Sequence, residues 1–149
     1  MSATRDRGSS ETTRRLAVLT AAECRILLDS QEVGRVVFLD GPGPVALPVN
    51  YALDAGDIVF RTASCSSVLA STYLSRVSFE VDDFDDVRRE GWSVLATGRI
   101  TEVDDDAELL RLEELGVMPW AEEGRTRYLR LNVLTITGRR LAATASADS

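Results

Sequence analysis

Apolar and polar residues alternate through the middle of this chain, and that period of two predicts β-strands. From Val45 to Leu53 every odd-numbered residue is apolar or aromatic, and every even-numbered residue is small, polar or proline. Turn residues at 54–57 then lead into a second strand over 58–62, which predicts a hairpin. Because Pro48 cannot donate to a strand ladder, we expect the first strand to be an edge or to carry a bulge there.

The same alternation recurs before and after the hairpin. It predicts further strands over 33–40, 77–81, 92–101 and 127–137. Gly98 interrupts the fifth strand in chain order and predicts a bend or bulge. The acidic run from Asp82 to Asp86 is expected to be a solvated loop.

Three short helices are predicted between the strands, over 20–30, 66–75 and 104–115. The first begins with the capping pair Thr20 and Glu23 and carries Cys24 on its apolar face. The third is expected to stop at Gly116, a typical helix C-terminal residue.

Six strands in antiparallel runs with three short helices predict one mainly β domain over residues 16–140, a small β-barrel with peripheral helices. The segments 1–15 and 141–149 are expected to be disordered tails, because they are small, polar and poor in core residues.

Composition excludes several classes of function. The chain has no histidine, which excludes histidine triads, histidine general bases and the usual zinc sites, so we expect no metal centre. All 17 basic residues are arginine, so a lysine Schiff base with a pyridoxal cofactor is impossible. The net charge of −7 argues against nucleic acid as a partner.

The apolar runs are too short to span a membrane, and the first residues lack the apolar stretch of a signal peptide. Cys24 and Cys65 have neither metal-ligand spacing nor a reason to form a disulfide. We therefore expect a cytoplasmic protein that does not contact membranes.

One candidate binding element stands at the end of the hairpin. Arg61-Thr62 closes the second strand, and a run of small residues, 63–67, leads into the second helix. A guanidinium, hydroxyl groups and free helix amides can together hold a phosphate. The residues alone equally allow Arg61 to be a solvated strand-end charge and the serines to be a loop and helix cap.

Eight short motifs in order along residues 19–140 resemble the pyridoxamine 5'-phosphate oxidase-like family of flavin-binding split barrels. They are the Glu-Cys pair of the first helix, Val33-Gly34-Arg35, Pro48-Val49-Asn50-Tyr51, Phe60-Arg61-Thr62, Gly91-Trp92-Ser93-Val94, Gly98-Arg99, Pro119-Trp120 and Thr137-Gly138-Arg139-Arg140.

The resemblance implies a six-stranded antiparallel split β-barrel of the FMN-binding type. It also implies a homodimer with two flavins at the subunit interface. The resemblance implies that the flavin ring is bound along Pro48, Val49, Asn50 and Tyr51, and that its 5'-phosphate is bound by Arg61, Thr62, Ser66 and the adjacent Ser67. It also implies that Trp92 and Ser93 approach the ring, from the same or the second subunit, and that Trp120 covers the substrate. Core packing remains an alternative for Tyr51 and Trp92, because both lie on apolar faces of their strands.

Ser67 departs from the family pattern, in which a lysine commonly stands at this position. Loss of that cation is expected to weaken binding of a singly phosphorylated flavin by about 1.5–3 kcal/mol. Either Arg61 compensates, or the site suits another flavin form, or the site has lost its cofactor.

Two functions of different class follow from the resemblance. The first is a flavin-dependent oxidoreductase that passes hydride or electrons to a small molecule, with FMN as cofactor or with FAD or a deazaflavin in its place. The second is a non-catalytic flavin or deazaflavin carrier or sensor dimer. A barrel that has lost its cofactor and serves as a structural dimer also stays open. No catalytic acid or base is identifiable from the residues.

Overall fold

The structure is a computed structural model that describes residues 13–63, 67–70, 76–118 and 126–143. Its strands are β1 (Arg14–Val18), β2 (Val33–Asp40), β3 (Gly43–Asp54), β4 (Asp57–Thr62), β5 (Val77–Asp85), β6 (Glu90–Glu102) and β7 (Arg127–Ala143), and its helices are α1 (Ala21–Leu28) and α2 (Asp106–Glu114). Residues 67–70 of the predicted second helix are also helical, and the rest of that prediction lies outside the described residues.

The strands form one antiparallel sheet in the order β1-β7-β4-β3-β2-β5-β6. β6 also pairs with β7 along most of its length, so the sheet closes on itself as a barrel and β1 adds to the outside of β7. The mainly β barrel with peripheral helices is therefore confirmed, but the strand count is seven rather than six.

The additional strand begins in the segment that we expected to be an N-terminal tail. Arg14–Val18 pairs with residues 139–143 of β7, so the tail predictions are wrong for Arg14 and Arg15 and for residues 141–143. β1 is mostly exposed and shows no buried face, so its apolar pattern carried no strand signal. Residues 1–12 and 144–149 lie outside the described part of the chain.

The prediction of a loop over the acidic run is wrong for Asp82 to Asp85, which are strand, whereas Asp86 lies in the turn that follows. β5 continues through Asp85 and stays paired with β6 to the end, with Asp82 opposite Ser93 and Asp85 opposite Glu90. Backbone pairing thus extends beyond the buried alternation, while the side chains of 83–85 remain exposed.

β3 changes partner in the middle of its length. Residues 43–50 pair with β2, and residues 51–54 pair with β4, beginning at the pair Tyr51–Phe60. The tight turn after β3 carries positive φ angles at Ala55 (52°) and Gly56 (83°), as a two-residue hairpin turn requires. This change of partner opens the sheet between the first half of β3 and the end of β4.

Gly98 lies at a bulge, as the sequence predicted. The β6–β7 register pairs Thr97 with Thr135 but Gly98 with Val133, so Leu134 is the extra residue on β7. A Cβ atom on Gly98 would lie 1.9 Å from the Asn132 carbonyl oxygen. The two backbones can approach this closely only because residue 98 has no side chain.

Two apolar clusters fill the fold. The main core lies inside the barrel and is closed by α1, whose Cys24 and Leu28 are buried, while Thr20 caps the helix by accepting from the Glu23 amide at 3.2 Å. The second cluster lies between α2 and the outer face of the β3–β4–β7 region, around Leu112 and Tyr128. This second apolar cluster supports the strands next to the opening beside β3.

Candidate functional site

The first half of β3 presents an open backbone edge. The Tyr51 amide donates to the Glu32 carbonyl at 3.0 Å, so the alternation of a strand directs the amide of Asn50 and the nitrogen of Pro48 away from β2. On that side the described residues supply no ladder partner before Tyr51. We call the stretch from Pro48 to Asn50 the β3 edge, and it confirms the edge position predicted from the proline.

The side chains along this stretch divide between the two faces of the sheet. Val49 and Tyr51 point into the main core, where the Tyr51 hydroxyl donates to the Leu28 carbonyl and its ring packs edge-on against Phe79. Burial raises the pKa of Tyr51. Asn50 points to the outer face and donates from Nδ2 to the Met118 carbonyl at 3.1 Å. A ligand at this edge would therefore meet backbone groups rather than the rings or methyls of residues 49 and 51.

Arg61 lies beside the β3 edge, one position beyond the last β3–β4 pair. One guanidinium NH₂ group donates to Thr126 Oγ1 at 2.9 Å, and the guanidinium carbon lies 4.9 Å from the centre of the Tyr128 ring. Its Nε atom is buried and has no hydrogen-bond partner among the described residues. Arg61 is thus a half-buried, positioned cation and not a solvated charge at a strand end.

Of the other predicted phosphate-site residues, Thr62 follows Arg61 directly in β4. Thr62 is buried, and Ser67 is half-buried at the start of the described helical turn 67–70. Ser66 and Cys65 lie outside the described residues, as does Trp120. The structure therefore brings together Pro48, Asn50, Arg61 and Thr62 at one opening of the barrel.

Trp92 and Ser93 are not part of this opening within one chain. Trp92 is 8% exposed and packs in the main core, and Ser93 faces outward between Asp82 and Arg139. β2 and β5 lie between β3 and β6, so the two groups are separated by three strand spacings, or roughly 14 Å. Within one chain, Ser93 therefore does not line the opening at the β3 edge.

A charged group on the outside of the sheet was not among the sequence-predicted site residues. Arg35 on β2 pairs with Glu80 at 2.8 Å and with Asp82 at 3.2 Å, both on β5. Burial and the neighbouring Asp82 raise the pKa of Glu80 to about 7, although Arg35 opposes the shift. The alternation along β5 predicts that residues 78, 80 and 82 share the outward face. It does not predict that Arg35 of β2 lies beside them.

Replacing Glu80 with glutamine is expected to remove a pH-dependent loss of stability. The pKa of Glu80 is higher in the folded chain than its ordinary value, so Glu80 contributes most stability below about pH 4.5 and loses it as the pH rises through about 7. Relative to the wild type, Glu80→Gln should gain on the order of 1–3 kcal/mol of unfolding free energy between about pH 5 and about pH 8. Urea unfolding at a series of pH values measures this difference.

Glu102→Gln is the matched control, because Glu102 is another strand glutamate that pairs with an arginine, here Arg127 at 3.2 Å. Comparing the two variants shows whether the pH dependence is particular to Glu80 or follows from removing any arginine-paired strand glutamate. Parallel profiles for the wild type and Glu80→Gln would contradict the raised pKa of Glu80.

Next to this group lies an open, mainly apolar depression of about 500 Å³. Its lining residues are Val18, Glu80, Ser93, Leu95, Thr137, Gly138 and Arg139. Val18 is 86% exposed and Leu95 is 42% exposed. We call these residues, together with Arg35 and Asp82, the outer sheet face.

The sequence profile described as pyridoxamine 5'-phosphate oxidase matches residues 20–140. This chain belongs to that family. An uncharacterized protein of Mycobacterium tuberculosis is 33% identical over 142 residues, covering 92% of this chain and 93% of its own length. In the part of the chain that the structure describes, no helix is long and apolar enough to cross a membrane.

Solved structures of similar proteins have the same fold. A protein from Mycobacterium smegmatis described as FAD binding is 32% identical, with a TM-score of 0.68 over 83% of this chain and 98% of its own. A protein from Corynebacterium glutamicum, described as a putative pyridoxamine 5'-phosphate oxidase, is 27% identical, with a TM-score of 0.70 over 87% of this chain and 96% of its own. A FAD-binding protein from Mesorhizobium loti, at 22% identity, matches in fold with a TM-score of 0.71 over 87% and 99% of the two chains. The split-barrel fold class expected from the sequence is confirmed.

Proposed function

We propose that this protein binds a flavin nucleotide at the β3 edge and acts as a flavin-dependent oxidoreductase on a small molecule. The observation that carries the proposal is the open backbone of Pro48 to Asn50 beside a half-buried arginine that has an unpaired donor. Backbone amide and carbonyl groups suit the polar edge of a flavin ring, and a guanidinium suits its phosphate. Similarity to the FAD-binding protein of Mycobacterium smegmatis supports the same ligand class.

In this proposal Asn50 and Pro48 offer backbone groups to the ring, and Arg61, Thr62, Ser66 and Ser67 hold the phosphate end. A bound flavin would supply the hydride or electron transfer, and the protein would orient it and limit its contact with water. FMN is the simplest cofactor for a site with one arginine; FAD and a deazaflavin are the alternatives. The cytoplasmic location expected from the sequence remains a prediction.

We also propose that the protein is a homodimer that associates through the outer sheet face. Exposed Val18 and Leu95 provide apolar area, and Arg35 and Arg139 lie near Glu80 and Asp82, so two copies can pair charges of opposite sign. A second copy would also bring its Ser93 towards the β3 edge of the first, which a single chain does not do.

The purified protein is expected to show a visible flavin absorption band or, if isolated without cofactor, to quench the fluorescence of added FMN or FAD with a saturable curve. Titrations with FMN, FAD, riboflavin and a deazaflavin identify the ligand form. Bleaching of the bound flavin by reduced nicotinamide, followed by repeated turnover with an acceptor, would support the oxidoreductase. Binding without turnover with any donor would instead favour a carrier or sensor. A folded protein that takes up none of the four ligands would contradict flavin binding.

A further inference from the structure

The guanidinium of Arg61 has a different environment from those of Arg35 and Arg130. Arg35 and Arg130 each lie within salt-bridge distance of two or more carboxylates. Within the described ranges, Arg61 has no carboxylate at such a distance, and its Nε atom is buried without a partner. A buried donor without a partner is costly and rare in native proteins, and a functional role is one of its explanations.

Arg61 is nevertheless held in place. It lies directly opposite Tyr128 in the β4–β7 ladder, with the guanidinium over the ring at 4.9 Å and one NH₂ group bound to Thr126 Oγ1. A guanidinium over an aromatic face is stabilised by the ring quadrupole without using its hydrogen-bond donors. The contact therefore orients the cation without occupying its hydrogen-bond donors.

Tyr128 is itself fixed by the second apolar cluster. Its side chain is 8% exposed and packs with Val59, Leu112 and Val117, and its carbonyl accepts from the Val103 amide at 3.0 Å. The ring is thus a rigid support behind Arg61 and not a mobile surface residue.

We propose that Tyr128 is a positioning residue that presents Arg61 to the phosphate of the flavin nucleotide. The inference rests on the proposed function and deepens it. A guanidinium already oriented in the free protein loses less conformational freedom on binding.

The test compares dissociation constants for FMN and riboflavin, which share the ring but differ in the phosphate. Tyr128→Leu removes the aromatic face and should weaken FMN about three- to thirtyfold, the usual range for a cation–π contact, with riboflavin changed less than about twofold. Tyr128→Phe keeps the face and should retain the wild-type ratio. Arg61→Gln should give the largest selective loss of FMN affinity.

An unchanged FMN-to-riboflavin ratio in Tyr128→Leu, or an equal weakening of both ligands, would overturn the inference while leaving flavin binding intact. A wild-type protein that binds neither ligand would overturn the proposed function and the inference together. If Tyr128→Leu fails to fold in a thermal melt, Thr126→Val loosens the same guanidinium at its other contact. It is expected to shift the ratio in the same direction, and an unchanged ratio in this variant would count against the inference.

Discussion

Replacing Arg130 with methionine is expected to lower the unfolding free energy by about 3–5 kcal/mol, because a buried charge cluster would lose its central cation. The Arg130 side chain is only 11% exposed and bonds Asp54 Oδ2 at 2.6 Å and Glu108 Oε1 at 2.7 Å, with Asp57 at 3.5 Å. Burial by itself would lower the pKa of Arg130, but its bonds to Asp54 and Glu108 raise it overall. The same hydrogen bond lowers the pKa of Asp54. Denaturant unfolding at neutral pH measures the loss.

Arg111→Met is the matched control, because Arg111 pairs with the same Asp54 oxygen at 2.8 Å but is 57% exposed. An exposed pair of this kind is worth less than about 1 kcal/mol. Equal costs for the two variants would mean that burial does not decide the energetics of this cluster. The cluster joins α2 to the β3–β4 turn, so the larger loss should be accompanied by earlier unfolding of the second apolar cluster.

Replacing Gly98 with alanine is expected to cost at least about 3 kcal/mol, at the upper end of overpacking effects. The added Cβ would lie 1.9 Å from the Asn132 carbonyl oxygen and 2.9 Å from its carbon. Both atoms belong to backbone in the β6–β7 ladder, so the strands themselves must separate to relieve the contact. Thermal and denaturant unfolding, with far-ultraviolet circular dichroism as the readout of strand content, measure the effect.

Gly43→Ala provides the comparison on the same sheet. A Cβ atom on Gly43 would meet no atom within 4 Å. Gly43 is also not one of the described glycines with a positive φ angle. The unfolding free energy of Gly43→Ala should differ from that of the wild type by less than about 1 kcal/mol. The variant should be the more stable of the two if the lower conformational entropy of its unfolded chain dominates. A Gly98→Ala variant as stable as Gly43→Ala would show that the bulge can move without cost.

The hydrophobic pattern predicted most of the strands, because a strand with one buried face shows alternating apolar and polar residues in its own sequence. The alternation at 33–40, 45–53 and 77–81 requires only that one side of a strand meets the core, and the structure contains strands at all three places. β1 and the end of β5 gave no such signal, since their side chains are largely exposed although their backbones pair with neighbouring strands. Strand pairing without burial leaves almost no trace in a hydrophobic pattern.

Some features of the candidate site were also predictable from the sequence, and others were not. The edge at Pro48 was predictable from the sequence, because proline has no amide to donate to a strand ladder. A phosphate-binding Arg61 was one of two open interpretations, and the family resemblance alone implied the flavin contacts of the Pro48–Asn50 stretch. The inward orientation of Tyr51 and Trp92 was already one of two open interpretations, and the structure places both in the core. Glu80 was not identifiable, because its environment depends on Arg35, which is 45 residues away in the chain.

By itself, the sequence determined the class of fold, the places of most strands and helix caps, and the absence of histidine and lysine chemistry. These properties depend on residue type and on neighbours a few positions away. Only the tertiary structure decided where β3 changes partner, that Tyr128 lies behind Arg61, and which carboxylates surround Arg130. Such contacts depend on the register between strands that are distant in the chain, and register is set by closure of the whole barrel.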